Sequence, residues 1–168
     1  VVENLQREDI GPLDAAAVGG ECEFALMALP AGEALGIVPG LLAAGTRVVD
    51  VSPDFRLRDA GLYAQWYQRE HTCPELLEEA VFGLPELYRD AISQGRLVAA
   101  PGCYTTAALL ALGPLAEEGL IDLSDIVMDG KTGVSGAGRT SLRLPYHYPE
   151  ANEAVSPYSV GGHRHLPE

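Results

Sequence analysis

Residues 23–51 read EFALMALPAGEALGIVPGLLAAGTRVVDV and decide the fold. The stretch opens with a short apolar run, 23–29, which predicts a buried strand, and closes with a β-branched run, 46–51, which predicts a second strand. The segment between them, 33–44, predicts a helix. A strand, a helix and a strand in this order are typical of a βαβ unit, so we expect an α/β fold with a parallel sheet.

Further elements are predicted outward from this unit. Short apolar runs predict strands at 97–100 and 125–129, and Pro74 and Pro85 suit the first turns of short helices at 74–80 and 85–93. A longer helix is expected to begin near Cys103 and to end at Gly119.

Composition excludes several classes of protein. The chain has 168 residues, a net charge of −13 and 47% hydrophobic residues, which suits a folded domain and disfavours a nucleic-acid partner. No apolar run reaches the ~18 residues of a membrane span. Cys22, Cys73 and Cys103 lack CxxC spacing, so we expect neither a disulfide framework nor a zinc site, and we expect a reducing, cytoplasmic location.

Cys103 is the strongest candidate for a reactive group. It follows Pro101 and Gly102, where a strand turns sharply into a helix. A thiol at a helix N-terminus faces unpaired N–H groups and the positive end of the helix dipole, which favour the nucleophilic thiolate. An inert buried cysteine is the alternative, and it is our interpretation of Cys22 and Cys73.

His163 and His165 form the second candidate group. In an extended segment their rings project to one face and Arg164 projects to the other. An imidazole can accept and return the proton that a cysteine nucleophile requires. The alternatives are a metal pair, for which no third ligand stands at a recognisable spacing, and two solvated loop histidines.

Two loops complete the candidates. Ser52–Arg58 (SPDFRLR) follows a predicted strand, and an arginine of this loop, Arg56 or Arg58, could hold a phosphate or carboxylate there, although the pattern alone favours an ion pair with Asp54 or Asp59. The glycine-rich segment 131–139 (KTGVSGAGR) would let a flat ring or a phosphate approach the backbone.

Five stretches of the chain together resemble the N-acetyl-γ-glutamyl-phosphate reductases of the semialdehyde dehydrogenase superfamily. They occur in the family's order: VVDVSPDFRLRD (48–59), AVFGLPELYR (80–89), LVAAPGCYTTAALLAL (97–112), GKTGVSGAGR (130–139) and YSVGGHRHLPE (158–168). Ala31 departs from the family, which usually has a histidine in that turn, and Thr105 stands where many members have proline.

The resemblance implies a reaction in arginine biosynthesis. Cys103 would attack the acyl phosphate to form a thioester, and NADPH would reduce this to N-acetylglutamate semialdehyde. His165, or His163 in its place, would transfer the protons. The resemblance further implies that substrate contacts come from Ser52, Arg56, Tyr158 and Glu168. It also implies a nicotinamide site formed by Ser135, Gly136, Ala137 and Gly138.

The resemblance also implies a domain organisation. We expect an incomplete Rossmann-like NAD(P)-binding domain over 1–102, and the beginning of an α+β catalytic and dimerisation domain, like that of glyceraldehyde-phosphate dehydrogenase, over 103–168. The chain covers roughly the middle half of such an enzyme, so we expect a homo-oligomeric parent protein and a fragment that does not turn over alone.

Three rival functions stay open at this point. An aspartate-semialdehyde dehydrogenase, or a carrier-linked aminoadipyl- or glutamyl-phosphate reductase, would share the chemistry and differ in substrate. A Cys/His hydrolase would use the same thiol and imidazole without a nicotinamide. A non-catalytic binding module would not depend on Cys103.

Overall fold

A computed structural model describes residues 14–138 and 143–168 of the chain. Its centre is a four-stranded, wholly parallel sheet in the order β1-β2-β4-β3. The strands are β1 (Phe24–Met27), β2 (Arg47–Asp50), β3 (Val81–Phe82) and β4 (Leu97–Ala99). The predicted α/β class with a parallel sheet is therefore confirmed. Residues 1–13 of the predicted first domain and Arg139 of the glycine-rich loop lie outside the described residues.

Helices connect the strands and follow them. They are α1 (Ala15–Glu21), α2 (Val38–Ala43), α3 (Ala60–Tyr67), α4 (Glu75–Glu79), α5 (Pro85–Gln94), α6 (Cys103–Glu117) and α7 (Tyr148–Ala151). Short 3₁₀ turns span Ala34–Gly36, Val134–Ala137 and Leu144–Tyr146. No helix among the described residues is long and apolar enough to cross a membrane.

The hydrophobic core lies where the sheet meets the helices that follow β1 and β2. Val48 and Leu97 on adjacent strands are almost fully buried, as are Val38 and Leu41 on α2 and Tyr63 on α3. Burial of such side chains is the main favourable contribution to folding. The core thus holds the carboxyl ends of β1, β2 and β4 at a common edge.

The predicted helix over 33–44 is interrupted in the structure. A 3₁₀ turn over Ala34–Gly36 comes first, and α2 begins only at Val38. Pro39 lies in the first turn of α2, where its missing N–H is tolerated because those N–H groups have no intrahelical partner.

Two strand predictions need correction. Residues 125–129 form no strand, and Val127 is 88% exposed, because the described residues provide no neighbouring strand for this apolar run. β1 is not buried on both faces, since Phe24 and Leu26 are 59% and 77% exposed while Met27 faces the core. Successive side chains of a strand point to opposite faces of the sheet, and in β1 only the face that carries Ala25 and Met27 packs against the core.

Candidate active site

Cys103 is the first residue of α6 and its side chain is exposed. β4 ends at Ala99, and the next residue, Ala100, donates its N–H to the carbonyl of Asp50 on β2 (2.8 Å). Gly102 is the N-cap of α6 and has extended backbone angles (φ −63°, ψ 153°). The predicted helix start at Cys103 is confirmed. The thiol therefore stands at the carboxyl edge of the sheet, beside the unpaired N–H groups of the first helical turn.

His165 lies directly on the backbone beside Cys103. A Cβ atom placed on Gly102 would be 2.6 Å from the His165 atoms Cγ, Nδ1 and Cε1. Such an approach is possible only because Gly102 has no side chain. The Thr105 hydroxyl, one turn into α6, donates to the His165 carbonyl (3.4 Å) and supports the same contact.

The two histidines meet through a turn and not through an extended segment. Residues 164–167 form a turn in which the Leu166 N–H donates to the His163 carbonyl (2.9 Å). The prediction of an extended HRH segment is therefore wrong, although the rings of His163 and His165 still lie together, with centroids 4.6 Å apart. The His165 N–H folds back to donate to His163 Nδ1 (3.1 Å).

This backbone bond fixes the proton on His163. Because Nδ1 accepts from an N–H, a neutral His163 ring must carry its hydrogen on Nε2. His163 Nε2 lies 3.4 Å from the Tyr158 hydroxyl, which in turn donates to the Tyr104 hydroxyl (2.8 Å). Desolvation and the hydrogen bond to Tyr104 raise the pKa of Tyr158 to about 12, so this phenol stays protonated.

Among the described residues, the His165 ring has fewer hydrogen-bond partners than the His163 ring. Its Nδ1 is buried and has no hydrogen-bond partner among the described residues. Burial lowers the pKa of both rings; the nearby charge of Glu168 opposes the effect at each, and Arg164 adds to it. Both rings are therefore neutral near pH 7, the form in which an imidazole can accept a proton.

Arg56 does not pair with Asp54 or Asp59, as the sequence pattern favoured, but with Glu168. Arg56 Nη1 lies 2.9 Å from Glu168 Oε1, and the two side chains are 8% and 0% exposed. The second Glu168 oxygen accepts from the Gly102 N–H (2.6 Å). Arg56 and Glu168 thus reach the same helix start as Cys103.

Ser52 is buried, and its hydroxyl forms hydrogen bonds to neighbouring residues of its own loop. It donates to Asp50 Oδ2 (2.6 Å) and accepts from the Asp54 N–H (3.2 Å). Burial raises the pKa of Asp50, and the bonds from Ser52 oppose that shift. The contact between Ser52 and a substrate stays a prediction.

The glycine-rich loop begins against the site. A Cβ on Gly130 would lie 2.7 Å from Tyr104 Cε1. The backbone at the start of the loop therefore packs against the Tyr104 ring, and Tyr104 is the residue after Cys103. Further along, the Gly136 N–H donates to the Gly133 carbonyl (3.0 Å) and the Gly138 N–H to the Ser135 carbonyl (3.1 Å). These bonds lie within the loop, so the nicotinamide role of Ser135–Gly138 stays a prediction.

Two tyrosines at the site were not among the predicted site residues. Tyr104 bonds to Tyr158, and its position directly after Cys103 was the available signal. Tyr67 donates to the Arg164 carbonyl (3.2 Å), and it comes from α3, which the sequence pattern did not reveal.

The carboxyl edge of the sheet has features that suit the binding of a nicotinamide cofactor. In open parallel sheets, dinucleotides bind outside the carboxyl ends of the strands. Here that edge carries an exposed thiol, and an exposed glycine-rich turn begins beside it. Among the described residues, no group of three or more His, Cys, Asp or Glu side chains could hold a metal ion.

A parallel α/β sheet whose carboxyl edge carries an exposed thiol at a helix start suits an enzyme that combines dinucleotide binding with a cysteine nucleophile. The sequence family described as "Semialdehyde dehydrogenase, NAD binding domain" matches residues 2–95. The family described as "Semialdehyde dehydrogenase, dimerisation domain" matches residues 103–168. The chain therefore belongs to the semialdehyde dehydrogenase family.

Three curated relatives of the chain carry the name "N-acetyl-gamma-glutamyl-phosphate reductase". The relative from Symbiobacterium thermophilum is 49% identical over 148 residues, which cover 88% of this chain and 42% of the relative. The relative from Pseudomonas fluorescens is 52% identical over 149 residues (89% and 43%), and that from Methanopyrus kandleri is 45% identical over 169 residues (98% and 48%). The chain thus spans about half the length of these relatives.

Proposed function

We propose that the protein carrying this chain reduces N-acetyl-γ-glutamyl phosphate to N-acetylglutamate semialdehyde and phosphate, a step of arginine biosynthesis. The observation that carries the proposal is the exposed Cys103 thiol at the start of α6, with the His165 ring against the preceding residue. The name of relatives about 50% identical to the chain supports the choice of substrate.

The chain's own groups account for the covalent part of the reaction. Cys103 Sγ, as the thiolate, attacks the acyl carbon, the bond from that carbon to the phosphate oxygen breaks, and phosphate leaves with the electron pair. The product is a thioester on Cys103, and the α6 N-terminus favours the thiolate both before attack and after aldehyde release. His165, neutral near pH 7, takes up the thiol proton and returns it.

A reduced nicotinamide, when bound, supplies the hydride for the thioester carbonyl. We propose that Ser135, Gly136, Ala137 and Gly138 hold it and that the cofactor is NADP(H). The match of residues 2–95 to a NAD binding domain supports a nicotinamide cofactor, and the exposed glycine-rich loop, which begins at Gly130 against the Tyr104 ring, supports its placement. Glycines at this position would let a flat ring approach the backbone closely.

We also propose that the protein has a seam near Gly102 and assembles as a homo-oligomer. In support, one matched family ends at residue 95 and the other, a dimerisation domain, begins at residue 103. Large apolar side chains are exposed in the second part, among them Leu120, Val127, Val155 and Val160. The cytoplasm is the proposed location, since Cys103 must stay reduced to react.

The test runs the reaction in reverse with the full-length protein. N-acetylglutamate semialdehyde, inorganic phosphate and NADP⁺ are mixed with the enzyme, and reduced cofactor is followed by absorbance at 340 nm. We expect phosphate-dependent reduction, which Cys103→Ser lowers at least about a thousandfold, as losses of covalent nucleophiles do.

Cys22→Ser is the matched control, since Cys22 is also exposed but lies at the end of α1, and it should leave the rate unchanged. Reduction only with aspartate semialdehyde would change the substrate and keep the mechanism. No reduction with either aldehyde in folded protein would reject the reductase function.

A further inference from the structure

The Tyr104 ring is held by three neighbours at the start of α6. It makes edge contacts with the rings of His163 and His165, with centroid distances of 5.2 and 6.1 Å. A Cβ on Gly130 would lie 2.7 Å from Tyr104 Cε1 and 2.9 Å from Cδ1, so the backbone of the glycine-rich loop packs against the same ring. Tyr104 directly follows Cys103 in the first turn of α6. These contacts fix the place of the Tyr104 hydroxyl group.

A chain of hydrogen bonds ends at this hydroxyl group. The His165 N–H donates to His163 Nδ1 (3.1 Å), which leaves the neutral His163 ring with its hydrogen on Nε2. His163 Nε2 lies 3.4 Å from the Tyr158 hydroxyl, and that hydroxyl donates to the Tyr104 oxygen (2.8 Å). The donors of the chain therefore follow one another toward Tyr104.

The last hydrogen of this chain is unused. The Tyr104 oxygen accepts from Tyr158, and the Tyr104 O–H has no acceptor among the described residues. Tyr104 is only partly buried and the Cys103 side chain is exposed, so a bound molecule can reach both groups. The structure thus presents a spare hydrogen-bond donor, held in place by its neighbours, in the same helical turn as the thiol.

Two further observations connect the thiol with the end of this chain. The His165 ring contacts both the Tyr104 ring and the backbone of Gly102, the residue before the thiol. Desolvation and the bond to Tyr104 raise the pKa of Tyr158 to about 12, and the charge of the Cys103 thiolate adds to this shift. The thiolate and the hydroxyl chain therefore lie within electrostatic reach of each other.

We propose that the Tyr104 hydroxyl donates a hydrogen bond to the carbonyl oxygen of the acyl group that Cys103 attacks. As the sulfur bonds to the acyl carbon, one electron pair of the C=O bond moves to the oxygen, and it returns when the bond from carbon to the leaving group breaks. Tyr104 shares its proton with the negative oxygen and does not transfer it, as the donors of an oxyanion hole do. The natural acyl group rests on the proposed function, whereas acylation of the thiol does not.

The first test therefore uses neither the natural substrate nor a cofactor. Full-length protein and the variants Tyr104→Phe, Tyr158→Phe and their double variant react with p-nitrophenyl acetate, and the burst of p-nitrophenolate reports acylation of the thiol. The Cys103→Ser variant defines the background from other groups. Alkylation of Cys103 by iodoacetamide is measured in parallel by peptide mass spectrometry, because alkylation places no charge on a carbonyl oxygen. Phenylalanine keeps the aromatic ring and removes only the hydroxyl.

We expect Tyr104→Phe to slow acylation of Cys103 on the order of 100-fold, as the loss of one oxyanion donor does, and to leave its alkylation unchanged. Tyr158→Phe keeps the donor and removes only the bond that orients it, so acylation should fall by less. The double variant should be no slower than Tyr104→Phe, because Tyr158 acts through Tyr104. If the two hydroxyls served only to join two segments, the single variants would be equivalent, since each breaks the same bond.

The second test uses the reverse reaction of the full-length protein. There the thiolate adds to the aldehyde carbonyl, and the same oxygen becomes negative before the hydride leaves. We expect Tyr104→Phe to lower kcat on the order of 100-fold and to leave the KM for phosphate unchanged, because the donor acts on the oxygen that gains charge. A raised KM for phosphate without a fall in kcat would mean that the hydroxyl contacts the phosphate, which overturns the proposal.

Tyr88→Phe is the matched control, because Tyr88 is exposed on α5, and it should leave acylation, alkylation and turnover unchanged. Circular dichroism establishes that each variant is folded. Unchanged acylation in Tyr104→Phe, equal effects of the two single variants, or an equal loss of alkylation would each overturn the proposal. A selective loss of acylation in a protein without reductase activity would support the proposal and reject the proposed function alone.

Discussion

At the scale of single residues, the Asp54 side chain beside the site accepts hydrogen bonds from three different residues. Its carboxylate is fully buried and accepts from the Gly32 N–H (2.7 and 2.8 Å), the Ala34 N–H (3.2 Å) and the Tyr63 hydroxyl (2.7 Å). Gly32 has a φ of +89°, which turns its N–H toward the carboxylate in a conformation suited to glycine. Asp54 thus joins the loop after β2 to the turn after β1.

Removing one donor from this carboxylate should be costly. We expect Tyr63→Phe to lower the free energy of unfolding by about 1–3 kcal/mol, because a buried charged acceptor loses a partner. Urea unfolding followed by circular dichroism measures the change. Tyr88→Phe is the control, since Tyr88 is exposed, and it should stay within about 0.5 kcal/mol. Equal effects of the two substitutions would contradict the importance of the Asp54 network.

At the scale of elements, α6 has one glycine at its N-cap and one within the helix, and their surroundings differ. At Gly102 an added Cβ would strike the His165 ring, whereas at Gly113 no atom outside the two chain neighbours and the helix's own backbone lies within 4 Å of an added Cβ. Gly102 also has ordinary extended backbone angles that alanine can adopt. Gly102 is therefore needed for the close approach of the imidazole and not for its backbone conformation.

This difference predicts opposite outcomes for the same substitution. Gly102→Ala should push His165 away and lower kcat/KM in the reverse reaction on the order of 100-fold. Gly113→Ala should leave activity unchanged, because its added Cβ points at no group of the site. Full activity of Gly102→Ala would mean that the ring is not held against the backbone in solution.

The start of α6 could be predicted because its signals are local. Pro101 and Gly102 interrupt a strand, and a run of helix-forming residues follows. The pairing of Arg56 could not be predicted in this way, since its partner lies 112 residues away in the sequence. The prediction of a strand at 125–129 was wrong for a related reason. An apolar run indicates that its side chains favour burial, but it does not show whether a neighbouring strand is present to pair with.

At the scale of the whole molecule, a buried histidine makes stability depend on pH. His71 lies between the rings of Phe55 and Tyr63 (centroids 5.4 and 5.0 Å away). Its Nε2 bonds to the Asp54 carbonyl (2.9 Å), and its buried Nδ1 has no partner among the described residues. Burial lowers the pKa of His71, and the charges of Asp54 and Glu75 only partly oppose this shift.

The sign of the pH effect follows from this shift. Below the unfolded pKa of about 6.5 the unfolded chain binds a proton that the folded chain refuses, so stability falls as pH decreases from about 6.5 toward the lower folded pKa. The loss from His71 is at most about 1.4 kcal/mol per pH unit.

Urea unfolding at pH 7.5, 6.5 and 5.5 measures this dependence. We expect His71→Gln, whose amide can still donate to the Asp54 carbonyl, to flatten it. His147→Gln, a change at an exposed position, should not. An unaltered pH dependence in His71→Gln would mean that His71 does not contribute.

The ion pair between Arg56 and Glu168 also has a consequence for the order of folding. It closes a loop of 112 residues, and the bond from Gly102 to Glu168 closes one of 66. Contacts so distant along the chain carry a larger entropic cost than those within α3 or α6, so helices and adjacent strands form first. We therefore expect the refolding chain to form its helices before the bonds of Glu168 to Arg56 and to Gly102, so that the residue before Cys103 is fixed late in folding.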